Sequence, residues 1–279
     1  AEYEVDRSLL ERAKAAGAKQ LMLKEQYRMP PRICKVVSDL FYEGKLRTGP
    51  GKNTKFPEHE HLRWVDIAGS KKNHVRQEVS VGTSWCHLEQ SLAAVAEARR
   101  RVDEIKKADP TAAPEVLVIC MYKPQVRHLQ SILNPGRGGG RNPASAEDQM
   151  AQPIRVVSVD ACQGSEADHV LLVLSRSNAH SNIGFCKNPN RCNVAISRAK
   201  ETLTVIGDLG CMRATSGMWN RVAEGCTVVQ GDMVELAEDL RALAQEELDR
   251  MAESSAGAHD RKHAHAHKVF HGSGGGGGK

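Results

Sequence analysis

Aromatic side chains are scarce in this chain: four Phe, four Tyr and three Trp among 279 residues. With so few, Trp64, Trp85 and Trp219 are expected to pack in the core rather than to stack on bases. No apolar run reaches the length of a bilayer span, so no membrane partner is expected. The N-terminal stretch AEYEVDRSLLERAKAAG is charged and has no signal-peptide core. It also lacks an initiator Met, which suggests a processed chain, an incomplete reading or a fragment. The eight cysteines include no C-x-x-C pair and no spacing of a zinc module. Reduced thiols are expected instead, as in the cytoplasm or nucleus. No internal repeat is present.

Charge is the mildest of the signals. The formal net charge is +5 and the pI about 8.8, which permits an anionic partner without requiring one.

Alternation of short apolar runs with amphipathic segments predicts an α/β fold, a parallel sheet with helices on both faces. Helices are expected over 5–18, 31–42, 88–107, 125–133 and 188–198. Strands are expected over 62–67, 116–121, 156–159, 170–174, 202–207 and 227–229. Asp232 and Glu235 form a capping pair for a last helix ending near Met251. Three segments set the domain organisation: a helical lead-in over 1–19, the α/β domain over 20–251, and a disordered His- and Gly-rich tail over 252–279. Within the domain, 134–152 reads as a mobile polar insertion. His263, His265 and His267 lie in the tail, and no metal site is assigned to them.

Three stretches carry candidate chemistry. In VVSVDACQGSEADHVLLVLSR, residues 156–176, a polar turn separates two strands buried on both faces. In open α/β sheets, ligands bind beyond the carboxyl ends of the strands, where this turn would lie. Gly164 permits a backbone shape or close approach that a side chain obstructs. Gln163 can donate and accept, and Glu166 can accept from ribose hydroxyls or a phosphate-bound water. An ordinary connecting turn is the alternative. In NPNRCNVAISRAKETLTVIGD, residues 188–208, Arg191 and Arg198 stand seven apart, which on a helix puts both on one face. Guanidinium forks suit phosphate oxygens; two solvated arginines are the alternative. In the third, Gln26-Tyr27-Arg28 precede Met29 and a double proline, rigid backbone that can fix where Arg28 points.

In this order the three stretches resemble the second RecA-like domain of superfamily 1 helicases, nearest the up-frameshift, senataxin and Mov-type group. The resemblance is dense over 20–46 and 153–208, looser over 60–133, and ends near Met251. It implies the C-terminal motor half of an ATP-dependent RNA or DNA helicase, an NTP hydrolase in its complete form. Arg28 and Arg198 would contact the γ-phosphate, with Arg198 the arginine finger. Gln163, Gly164 and Glu166 would form the nucleotide edge, and Ser158 with Asp160 would meet the nucleic-acid backbone. The resemblance implies ATP with Mg as the cofactor, held mainly by the missing first RecA-like domain, and implies that domain and single-stranded RNA or DNA as partners.

The sequence departs from the family pattern in places. The usual RRxNVAxTRA reads NRCNVAISRA, with Asn190 and Ser197 substituting. The usual TPYxxQ reads Cys120-Met121-Tyr122-Lys123-Pro124-Gln125, and SyyNxxEA appears as Ser84-Trp85-Cys86-His87-Leu88-Glu89-Gln90. No G-x-x-x-x-G-K-[ST] loop and no Asp-Glu magnesium box occurs; the Gly-rich 136–140 is followed by Arg-Asn. This chain alone is therefore expected to be inactive toward ATP. The second reading is a non-catalytic nucleic-acid-binding or protein-docking module.

Overall fold

A computed structural model describes residues 9–19, 21–67, 78–134, 152–231 and 241–255. The expected insertion at 134–152 lies almost wholly outside the described residues. The Asp232–Glu235 cap lies outside them too, as does the tail expected over 252–279 except for 252–255, which are helical and not disordered.

Among the described residues, ten strands and eight named helices follow one another along the chain. They run α1 (Leu9–Ala15), β1 (Glu25–Gln26), α2 (Pro31–Phe41), β2 (Arg47–Thr48), α3 (Glu58–His61) and β3 (Leu62–Asp66). Next come β4 (Val79–Val81), β5 (Ser84–Cys86), α4 (Leu88–Ala108), β6 (Val116–Cys120), α5 (Lys123–Leu133), β7 (Ile154–Ser158) and β8 (Ala167–Val173). The named elements end with α6 (Pro189–Ile196), β9 (Ala199–Gly207), α7 (Leu209–Thr215), α8 (Gly217–Gly225) and β10 (Thr227–Gln230). A last helical segment covers 241–255.

Six strands form one sheet in the order β10-β3-β9-β8-β6-β7, and each neighbouring pair is parallel. Both faces are covered, so side chains on the central strands are buried in alternation to two cores. On β6, Leu117 and Ile119 enter one core while Val116, Val118 and Cys120 enter the other. On β8, Val170 and Leu172 face the first core, and Leu171 and Val173 the second. The first core is closed by α2, α6 and α8, the second by α4, α5 and the 241–255 segment. This is the RecA-like α/β sheet that the sequence leads one to expect.

Trp64 and Trp219 are the largest fully buried side chains of the first core, meeting edge to face at 6.0 Å. Each indole N–H finds a carbonyl, Trp64 on Gly207 at 3.0 Å and Trp219 on Cys186 at 2.8 Å. Polar ends satisfied in this way let both rings be buried without an orphaned donor.

Of the lead-in helix expected over 5–18, residues 5–8 lie outside the described residues; the described part, Leu9–Ala15, ends before residue 18 and buries none of its residues, with Leu9 81% and Leu10 78% exposed. The short pairs β1–β2 and β4–β5, and the helices α7 and α8, add to the sequence-derived elements. Among the described residues, no helix is long and apolar enough to cross a membrane.

Candidate functional site

The site is assembled at the carboxyl end of β7. The chain leaves Ser158 into a short 3-10 turn over Val159–Ala161, and the turn is closed by Cys162 N–H donating to the Ser158 carbonyl at 3.0 Å. The exposed Gln163-Gly164 corner follows, and Gly164 has φ +85°. A Cβ there would meet nothing within 4 Å, so glycine serves the left-handed backbone and not a close approach. The corner delivers Glu166 to the start of β8.

Glu166 meets Arg28 from a distant part of the chain. Arg28 Nε donates to Glu166 Oε2 at 2.7 Å, and its Nη1 donates to the Ser197 carbonyl at 3.2 Å. Arg28 holds the Glu166 carboxyl below its usual range, and Lys200, 3.5 Å away, adds to the effect. The double proline is only part of what fixes Arg28. Gln26 Oε1 accepts from the N–H groups of Arg28 (2.9 Å) and Met29 (2.7 Å). Its Nε2 donates to the Met29 carbonyl (2.9 Å) and to Thr48 Oγ1 (2.8 Å). One amide thus clamps the backbone around Arg28, and the parallel pairing of β1 with β2 brings Thr48 within reach.

Arg198 arrives from the opposite side. Helix α6 stops at Ile196, with Ser197 as its C-cap, so Arg198 lies beyond the helix and does not share a face with Arg191. The expected pairing of the two arginines is therefore corrected: the chain has already turned toward β9. Arg198 Nε donates to the Val194 carbonyl at 2.8 Å and Nη1 to the Ser165 carbonyl at 3.2 Å. Its pKa is lowered by burial and then by the nearby Arg28 cation. Two guanidiniums thus meet at the Ser165-Glu166 stretch, Arg28 on the Glu166 carboxylate and Arg198 on the Ser165 carbonyl, and among the described residues neither Nη2 donates a hydrogen bond to the protein. Positive charge is in excess there, and an anion would relieve it.

The remaining candidates lie on the other flank of the same turn. Ser158 is half-buried at the strand end, and exposed Asp160 accepts from Arg191 Nε at 2.9 Å. Arg191 also sits over the Phe185 ring, 4.9 Å from its centroid. Sequence reasoning missed Gln26 as a clamp, Lys200 as a second cation on Glu166, and Phe185. Phe185 is 54% exposed, and exposure is not written in the sequence. Trp85 is half-buried beneath the Arg176 guanidinium, 4.6 Å from its ring.

No group of three or more His, Cys, Asp or Glu residues that could hold a metal occurs among the described residues. What the site offers is guanidinium hydrogen-bond donors.

The sequence matches the family described as AAA domain over residues 5–210. It is 28% identical over 238 residues to "ATP-dependent helicase NAM7" of Saccharomyces cerevisiae, covering 82% of this chain and 23% of that protein. It is 32% identical over 215 residues to "Regulator of nonsense transcripts 1 homolog" of Neurospora crassa, covering 73% and 18%. The "5'-3' DNA helicase ZGRF1" of Mus musculus is 27% identical over 227 residues, covering 81% and 11%. The chain spans less than a quarter of the length of each of these relatives.

Proposed function

Because this chain belongs to the AAA domain family, as the second RecA-like domain of superfamily 1 helicases of the up-frameshift branch, we propose that it supplies the γ-phosphate side of a helicase ATP site. One observation carries the reading. Arg28 and Arg198, 170 positions apart, converge on the Glu166 turn with donors left over, and among the described residues Glu166 on Arg28 is the one carboxylate hydrogen-bonded to either.

The residues present suit the terminal phosphate of ATP and not the whole nucleotide. Arg28 and Arg198 would hold γ-phosphate oxygens, with Arg198 the arginine finger, because its two observed hydrogen bonds to carbonyls fix the fork without neutralising it. Glu166 keeps Arg28 aligned, and Gln163 and Gly164 form the open rim. Magnesium would neutralise phosphate charge as the terminal bond breaks. A phosphate loop and the magnesium ligands would come from a first RecA-like domain packed against this edge. Stabilising charge that develops in the transition state is the contribution expected of Arg198.

Single-stranded RNA or DNA would run past Ser158 and Asp160, on the other flank of the same turn. Residues 158–166 then connect the two ligands through one short piece of backbone. The domain limits follow: 20–251 as the motor half, 1–19 as a lead-in and 252–279 as a tail. The cytoplasm or nucleus is its proposed location.

The test compares this chain alone with the chain joined to a phosphate-loop domain from the same protein. Single-strand-stimulated ATP hydrolysis is expected only for the joined form, and Glu166→Gln should lower it by loosening Arg28. Stimulated hydrolysis by the chain alone, or a joined form indifferent to Glu166→Gln, would contradict the reading.

A further inference from the structure

Phe185 is an anomaly in a chain poor in aromatics. It is 54% exposed, yet everything behind it is built to hold it there. Its ring stacks on Tyr122, with centroids 5.3 Å apart and planes 22° from parallel. Tyr122 is buried, and its hydroxyl accepts from the Phe185 N–H at 2.9 Å and from Arg176 Nη1 at 3.4 Å. Arg176 is in turn fixed by Glu78, at 2.8 Å with both side chains 5% exposed. The residue before Phe185 is Gly184, with φ +50°. A Cβ there would run into the Tyr122 hydroxyl and the Arg176 guanidinium. Glycine is therefore required for Phe185 to lie flat on Tyr122.

Over the ring lies the Arg191 guanidinium, planar and about the breadth of a small ring, 4.9 Å from the centroid. Arg191 is tied to Asp160, a carboxylate 60% exposed, and ion pairs this open to solvent contribute little. The arrangement is a rigid aromatic face covered by a flat group that is easily displaced.

We infer that Phe185 is a base-stacking platform, on which a base of a single strand takes the place of the Arg191 guanidinium. The inference rests on the proposed function and deepens it by naming the side chain that meets a base. Any base has a flat face, so the platform reads no sequence. The displaced Arg191 keeps its charge and can turn to a phosphate of the same strand. Asp160 then loses its partner, three residues before Gln163, at the start of the turn that carries the nucleotide edge.

The test is fluorescence anisotropy with this chain and two labelled oligonucleotides of about 12 positions, oligo(dA) and an abasic strand of the same length. The expected preference for oligo(dA) is about 10-fold, the scale of one stacked base. Phe185→Ala and Phe185→Leu should each lower oligo(dA) binding to the abasic level and leave abasic binding unchanged, while Phe185→Tyr should keep the preference. Equal binding of the two strands by the unaltered chain would overturn the platform alone. A Phe185→Ala loss that falls equally on both strands would mean a purely structural role and would also overturn it. No binding of either strand, and none of oligo(rA) of the same length, would overturn the proposed strand path and this inference with it.

Discussion

Replacing Gln26 should loosen the site without touching any charged group in it. The Gln26 side chain makes four hydrogen bonds, two accepted from backbone and two donated. A net value of about 0.5–1.5 kcal/mol for each gives an upper range of about 2–6 kcal/mol for their joint loss. Gln26 and Arg28 are only half-buried, so water recovers part of this, whereas Met29 is 4% exposed and its N–H is not easily rescued. Gln26→Ala is thus expected to cost about 2 kcal/mol, read as a lower urea midpoint with an unchanged slope. Gln26→Glu is the sharper variant. It keeps the two accepted bonds, loses the two donated ones and turns a carboxylate oxygen toward the Met29 carbonyl. It should be no more stable than Gln26→Ala. Both variants should release Arg28, lowering ATP turnover in the joined protein. A Gln26→Ala variant within about 0.5 kcal/mol of the parent, as an unremarkable surface change would be, would refute the clamp.

Three further outcomes are expected. Trp219→Ala removes a fully buried ring and its bond to Cys186, and should cost about 3–5 kcal/mol in urea unfolding; a cost below about 1 kcal/mol would contradict its place in the core. Stability should fall on acidification: burial pushes His169 down to about 3 and lowers His128, so both are held neutral when folded while the unfolded chain takes up protons below about 6.5. Stability contributed by these histidines is full above about pH 6.5 and is lost as the pH falls below it, for His169 toward about pH 3 at up to about 1.4 kcal/mol per pH unit, so equal urea midpoints at pH 7.5 and 5.0 would argue against it. Gly164→Ala meets no steric block but must adopt φ +85°, so a loss of about 1 kcal/mol is expected in thermal or urea melts, and a gain in stability would rule out the strained turn.

The sheet was legible because its central strands are buried on both faces. Runs such as Val116–Cys120 and Val170–Val173 stand out against polar surroundings, and their order with the helices leaves a parallel sheet as the natural arrangement. The two-residue strands β1 and β2 could not be read, since a pair that short has no periodicity. Without them the role of Thr48 beneath Gln26 was invisible. Helix α6 was legible, but its end was not. The spacing of Arg191 and Arg198 suits a helix, and only the cap at Ser197 shows that the chain turns between them. Nor does sequence distinguish a buried aromatic from an exposed one. Trp64 and Trp219 lie inside, while Phe185 depends on Tyr122 and Gly184 to stand outside.

The central claim is that Arg198 acts on charge developing at the γ-phosphate. In the protein joined to its phosphate-loop domain, steady-state ATP hydrolysis and nucleotide affinity should be measured separately for Arg198→Ala, Arg198→Lys and Arg191→Ala. Loss of an arginine finger costs about 10³–10⁵ in turnover, so Arg198→Ala should lose activity on that scale while nucleotide affinity changes far less. Arg198→Lys should recover little, because an ammonium lacks the planar fork that the Val194 and Ser165 carbonyls orient. Arg191→Ala, on the far flank with Asp160, should do less harm. Near-normal turnover in Arg198→Ala, or greater damage from Arg191→Ala, would contradict the account.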